Sequence, residues 1–404
     1  MTKTVVLVGA LDTKGAEFAF VKTLIENAGL KTLVVDFGVM GAPTLTPDIS
    51  HAEVAQAGNG DLARLAAGEH KDEAMEVMAA GLAIIVRRLF DEGRLDGILG
   101  MGGSGGTSIA TRAMRTLPVG TPKVMVSTMG GGDVSVYAGA KDITFMPSVV
   151  DVAGINSISR AIYTNAAGAI AGMVKMETPA SKAEKPLVTA SMFGNTTKAV
   201  DHARGILEEN GYEVLVFHAT GAGGKTMESL IADGYIVGSM DITTTELADA
   251  VCGGVFDAGP ERGLAASRAG IPAVIVPGCV DMANFWGVET MPEKYHSRTL
   301  YRWNPNVTLM RTNVEENTRM GEMLAAAANA ATAPVAILLP LKGVSMLDSE
   351  GGQFWDPAAD QACFDAIKRN LKPGIPVIEL DNNINDPEFS AKVAETMLTL
   401  LKGA

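Results

Sequence analysis

Short runs of β-branched and aliphatic residues recur along this 404-residue chain, several of them running straight into a glycine turn and then a helical stretch. In the first half the apolar runs are TVVLVGA (4–10), KTLVVDFG (31–38), LDGILGMGG (95–103), KVMVSTMGGG (123–132) and DITFMP (142–147). The helical stretches EFAFVKTLIENAG, DEAMEVMAAGLAIIVRRLFDEG and TSIATRAMRTL separate them. Parallel strands need crossover connections, so this alternation predicts a parallel sheet wrapped by helices. At METPASKAEKPLV (176–188) the chain turns polar, with two prolines and mixed charge, which reads as a linker. The alternation then restarts with PLVTASMFG, YEVLVFHATG and YIVGSMD, followed by IPAVIVPG, APVAILLPL and IPVIELD. The expected fold is α/β: two doubly wound, Rossmann-like parallel-sheet domains, spanning 1–180 and 185–404.

Apolar residues make up 47% of the chain, enough for two sizeable cores. The net charge of −13, with no dense Lys/Arg cluster, argues against a nucleic-acid partner, which would need a basic surface. Cys252, Cys279 and Cys363 lack metal-ligand spacing and read as buried thiols in a reducing compartment. No apolar segment reaches the ~20 residues of a membrane span. The opening run is too short, and too soon interrupted by Asp12, for a signal peptide. These features predict a soluble, cytoplasmic protein.

In open α/β sheets ligands gather where strands end and helices begin, and glycines there let backbone N–H groups approach a phosphate. Four such turns stand out. GALDTKG (9–15) offers Thr13, Lys14 and Asp12, the last able to hold Mg2+ through water; by itself it is also an ordinary helix start with Asp12 or Thr13 as N-cap. GMGGSGGTS (100–108) packs four glycines around Ser104, more than a bare turn needs, and reads as an anion cradle. STMGGGDV (127–134) fits a binding turn and a structural one equally well. In HATGAGGKT (218–226), Lys225 and Thr226 stand where a P-loop's lysine and threonine would, but Ala219 replaces its first glycine. The residues alone leave GMGGSGGTS and GAGGKT as rival nucleotide sites.

Together, VGALDTKG, LGMGGSGGTSIA, VSTMGGGDV, DITFMPSVVDVAGIN and FHATGAGGKTME resemble the two-domain bacterial family similar to the ATP-binding N-terminal region of the plant tobamovirus-resistance protein. DITTTELAD, VPGCVDMANF, RWNPNVTLMRT and PLKGVSMLDSEGGQFWDP agree in order, so the resemblance covers essentially the whole chain. It implies a homodimer or higher homo-oligomer with ATP, and Mg2+, on the first domain. By motif, Asp12, Thr13 and Lys14 become first-turn contacts. Gly102, Gly103, Ser104, Gly105, Gly106 and Thr107 become the phosphate cradle, above Gly130, Gly131 and Gly132. Relatives carry histidine where this chain has Trp303, which leaves no basic role there.

The second domain offers further polar groups near apparent strand ends. Gly221, Gly223, Gly224 and Lys225, the run Thr243, Thr244, Thr245, and Asp281, Asn284 and Arg298 are expected to converge on a second, anionic small-molecule site in that domain or between the domains. His296 or Asp281 could act as a base there, although no arrangement identifies a reaction. Two alternatives to simple ATP binding stay open. One is an enzyme acting on a small carboxylate or phosphate; the other is a nucleotide-regulated protein-interaction module.

Overall fold

The computed structural model describes residues 2–67, 71–177 and 184–403, so part of the expected linker (178–183) lies outside the described residues. The chain divides into two compact units, Met1–Ala180 and Ser181–Ala404.

In the first unit, strands β1 (Thr4–Gly9), β2 (Lys31–Asp36), β3 (Gly97–Gly102), β4 (Lys123–Ser127) and β5 (Thr144–Pro147) form one parallel sheet in the order β2-β1-β3-β4-β5. The helices are α1 (Leu11–Asn27), α2 (His51–Ala57), α3 (Leu62–Ala66), α4 (Lys71–Asp91), α5 (Ser104–Met114), α6 (Ser135–Ala138) and α7 (Ser157–Lys175). The central strands β1, β3 and β4 are mostly apolar because both their faces are covered, whereas the edge strand β5 is partly exposed. Val6, Val8, Ile98 and Met125 pack with Met78, Leu82 and Ile85 of α4 and Ile109 of α5. Their neighbours Val5, Leu7, Leu99 and Val124 point the other way, onto Phe18 and Val21 of α1 and Tyr163 and Ile170 of α7.

The second unit has a six-stranded parallel sheet. Its strands are β6 (Leu187–Met192), β7 (Glu213–His218), β8 (Ile236–Thr243), β9 (Ala273–Gly278), and, beyond an insertion, β13 (Val335–Pro340) and β14 (Val377–Leu380). Their order is β14-β13-β9-β8-β6-β7. Counted from the unit's first strand this is 2-1-3-4-5-6, the first unit's order with one strand added. The insertion is a three-stranded antiparallel sheet of β10 (Met282–Phe285), β11 (Leu300–Asn304) and β12 (Val307–Arg311). The helices are α8 (Thr197–Glu209), α9 (Ala222–Ala232), α10 (Thr245–Cys252), α11 (Ala265–Ala269), α12 (Val314–Asn329), α13 (Pro357–Asn370) and α14 (Pro387–Lys402).

In both units the chain leaves its first strand for one side of the sheet and its third strand lies on the other. The crevice at this reversal, outside the strands' carboxyl ends, is where open α/β sheets bind ligands. It lies between the ends of β1 and β3 in the first unit, and of β6 and β8 in the second. All three cysteines are free and buried. No helix among the described residues is long and apolar enough to cross a membrane.

Candidate functional site

At the first unit's crevice, β1 runs into α1 through Ala10, whose position at the N-cap displaces Asp12 and Thr13 from the capping role. Both sit in the first helical turn instead. One oxygen of Asp12 accepts the Met40 N–H at 2.9 Å, while Oδ1 is buried and has no partner. Thr13 is exposed. Lys14 leaves helical geometry (φ −132°, ψ 18°), and its ammonium donates to the Val152 carbonyl at 2.5 Å, in the loop after β5. The turn is held from below by Asp36, fully buried at the end of β2, which accepts the N–H groups of Leu11 (3.0 Å) and Gly38 (2.8 Å). Burial pushes the Asp36 carboxyl above its ordinary range, against those two hydrogen bonds. Sequence reading missed Asp36, because a lone Asp closing an apolar run gives no sign of the backbone groups it will hold.

Across the crevice, α5 begins at Ser104 with Gly103 as an N-cap that supplies no side-chain hydrogen bond. The glycines here are of two kinds. A Cβ on Gly9 would overlap the Phe18 ring, and one on Gly130 would press on Pro147 at 3.0 Å, so packing requires both. At Gly103 the nearest atom to a Cβ would be 3.8 Å away, at Gly105 3.5 Å (Met75 Cε) and at Gly106 3.8 Å. Gly131 has open space and Gly132 only a carbonyl at 3.7 Å. None of these five has positive φ. Neither crowding nor backbone conformation therefore demands glycine at 103, 105 or 106, where it costs entropy and weakens a helix start. Thr107 departs from its expected role: it is fully buried, its hydroxyl pairs with Ser127 Oγ at 2.6 Å, and it fastens α5 to β4 beneath the turn.

Beside this turn lies an apolar cavity of about 380 Å³. Phe37 and Met40 after β2, Met75 and Met78 of α4 and Ile109 of α5 line it, with Lys71 as its cation. Met75 borders both the cavity and Gly105.

The expected second-unit site does not assemble, because its members are already engaged with other groups of the chain. Gly221 and Gly224 donate their N–H groups to Glu246 Oε1, at 2.7 and 3.1 Å. The anion in the P-loop-like turn is thus the protein's own carboxylate. A Cβ on Gly224 would collide with Glu246, and one on Gly223 with the His218 carbonyl oxygen, so these glycines serve packing. Glu246 Oε2 in turn accepts from Arg262 Nε at 2.5 Å. The same guanidinium grips Asp241 in a two-bond fork (2.5 and 2.7 Å) and approaches Glu228 at 3.4 Å. Burial opposes the charge of Arg262, but these three carboxylates outweigh it and hold its pKa above the ordinary arginine value. Lys225 faces a different cavity, between α9 and α11.

The remaining members are likewise buried or paired. Thr243, Thr244 and Thr245 are at most 1% exposed. Thr243 bonds the Thr196 hydroxyl (2.7 Å), Thr244 the Val276 carbonyl (3.4 Å) and Thr245 the Met282 carbonyl (2.9 Å). Asn284 is buried against Asp249 and Thr245. Arg298 spends its fork on Glu316 (3.1 and 2.8 Å) and the Arg311 carbonyl (2.6 Å), leaving no bidentate face for a ligand. His296 is tied to the Met291 carbonyl at 3.1 Å. Asp281 is fully buried and accepts the Ser345 hydroxyl at 2.8 Å.

Residues 3–179 match the N-terminal domain, and residues 185–401 the C-terminal domain, of the uncharacterised protein family UPF0261. The chain belongs to the UPF0261 family. A UPF0261 protein of Clostridium tetani is 50% identical over 403 residues, covering 100% of both chains. The tomato ToMV resistance protein Tm-1(GCR237) is 40% identical over 334 residues, which are 81% of this chain and 44% of that protein. Among solved structures, UDP-N-acetylglucosamine 2-epimerase from Rickettsia bellii overlaps 100% of this chain and 96% of its own at 11% identity. Its TM-score of 0.24 is too low to bear on function.

This UPF0261 chain carries a second buried charge cluster behind the ends of β9 and β13, with Asp281 among its members. Arg311 pairs with Asp360 at 2.7 Å and lies 3.6 Å from Asp348. Burial and the neighbouring Asp348 carboxylate push Asp281 up to about 7 and Asp360 up to about 8. Both therefore hold protons in the folded state that an unfolded chain releases near pH 4 (about 3.9 for Asp). The folded state binds more protons between those limits, so stability is fully present at low pH and is lost as pH rises from about 4 to about 8. In Asp281→Asn this decline is expected to shrink, with the variant gaining on the parent as pH rises. Melting temperatures from pH 5 to 8 check it; parallel profiles for the two proteins would count against this origin of the pH dependence.

Proposed function

We propose that the first unit binds ATP, with Mg2+, in the crevice between the ends of β1 and β3. The observation that carries this reading is the set Gly103, Gly105 and Gly106. These glycines have room for side chains yet carry none, at the N-terminus of an 11-residue helix that no side chain caps. Bare N–H groups and the positive end of the helix dipole suit a polyphosphate, and the missing side chains let it approach the backbone. The apolar cavity bordering Gly105 suits the flat face of a nucleobase, with Met75 and Met78 as adaptable sulfur-bearing walls. Asp12, with one buried oxygen unpartnered, fits a hydrated Mg2+. The metal would neutralise phosphate charge there, while Lys14 is committed to the Val152 carbonyl and helps hold the loop after β5. The motif resemblance to an ATP-binding region points to the same turns.

Calorimetric titration of the full chain with Mg2+–ATP and with inorganic tripolyphosphate tests both halves of this reading. Met75→Trp, which fills the apolar cavity, is expected to weaken ATP tenfold or more and leave tripolyphosphate affinity unchanged. No heat from Mg2+–ATP with the parent protein would defeat the proposal. Equal loss of both ligands would remove the base from this cavity.

A further inference from the structure

The second unit has a cavity of about 490 Å³ that none of the residues singled out from sequence lines. It lies between the turn after β6 and the loops that follow β13 and β14, at the carboxyl edge of the parallel sheet. Asn195, Thr197, Lys198, Ser349, Asn385 and Asp386 are in its wall.

Three observations mark it as built to receive something. Asn195 is 1% exposed, yet its side-chain oxygen has no hydrogen-bond partner, and its amide nitrogen reaches only Met282 Sδ at 3.4 Å. Asn385, whose amide donates to the Asn195 carbonyl at 2.9 Å, likewise has a buried side-chain oxygen with no partner. A buried acceptor without a donor is costly to a fold, and these two belong to residues of one cavity wall. Secondly, Lys198 is exposed at the start of α8 and makes no ion pair among the described residues, while Asp386 faces the same cavity. Thirdly, an aromatic cluster backs the wall at Gly194. The indole of Trp303 lies against Gly194, a wall residue whose Cβ would stand 2.7 Å from Cζ2. Trp303 stacks on Phe193 at 6.5 Å, and Phe193 leads on to Phe256 and Trp286.

Side-chain amides, hydroxyls and a carboxylate in one wall suit a ligand's hydroxyl groups, and an unpaired ammonium calls for one anionic group. The geometry points to an anionic polyol as the ligand of this cavity: a sugar acid or a sugar phosphate. The site is separate from the proposed nucleotide site and stands or falls independently of it.

The test is a thermal-shift and calorimetric comparison on the full chain. Gluconate and glucose 6-phosphate are the anionic polyols, glucose and sorbitol the neutral ones, and acetate and inorganic phosphate the bare anions. At about 10 mM, a site of millimolar affinity raises the melting temperature by mass action. At least one anionic polyol is expected to stabilise the protein more than either its neutral or its bare-anion counterpart. Gluconate alone would name the sugar-acid source, and glucose 6-phosphate alone the sugar-phosphate source. Lys198→Ala, at an exposed position, is expected to keep the parent melting temperature and lose tenfold or more in affinity for the anionic probe. Absence of any shift with the anionic polyols, a shift reproduced by the bare anion, or unchanged affinity in Lys198→Ala would each overturn the assignment.

Discussion

Replacing Arg262 with methionine is expected to cost the second unit roughly 3–5 kcal/mol, the range for removing one partner of a buried ion pair. Arg262 is 5% exposed and touches three carboxylates, and its loss leaves Asp241 and Glu246 buried without their counter-charge. Glu246 would keep the N–H groups of Gly221 and Gly224, and Asp241 the Ser191 hydroxyl at 2.6 Å, so the damage is electrostatic before it is steric. Adding Glu246→Gln should recover part of the loss, since a neutral amide oxygen can still accept the two N–H bonds. Urea unfolding of the parent, single and double variants measures this. A loss under about 1 kcal/mol for Arg262→Met would mean that the pairs behave like exposed ones.

The second large effect is expected at Gly105. Gly105→Val should reduce ATP affinity by a hundredfold or more, about 2.8 kcal/mol, by keeping phosphate away from the backbone at the start of α5. The fold should tolerate it: a Cβ meets Met75 at 3.5 Å, an ordinary contact, and valine is a better helix residue than glycine. Calorimetry with Mg2+–ATP, alongside a melting curve, separates binding from folding. If Gly105→Val binds ATP as the parent does while Lys225→Ala does not, the nucleotide belongs to the second unit.

The central parallel strands were legible because they are buried on both faces, as in TVVLVG and AVIVPG, and the glycine turns locate themselves once those strands are known. The antiparallel insert was not legible. MANF, LYRWN and VTLMR are short, and the exposure of Arg302 and Asn304 gives LYRWN the look of a loop. Pairing such as Met282 with Arg311 comes from distant segments that carry no local signature. The candidate site was half legible. Composition exposed the excess of glycine at 102–106, but only packing separates glycines that crowding requires from those it does not. In the second unit the polar residues were correctly noticed and their partners could not be. Gly221 and Glu246 lie 25 residues apart, and nothing in GAGGK or TTTELAD announces that one will satisfy the other.

The engagement of Glu246 has a consequence for selectivity. A free phosphate seeking the GAGGK turn would compete not with water but with a rival tethered to the same chain. Such a rival acts at an effective concentration set by the fold, of millimolar order even for short flexible tethers. Dilution cannot wash it out, and its rigid seat beside Arg262 strengthens its hold. The turn is therefore insulated from swings in the surrounding phosphate and nucleotide pool.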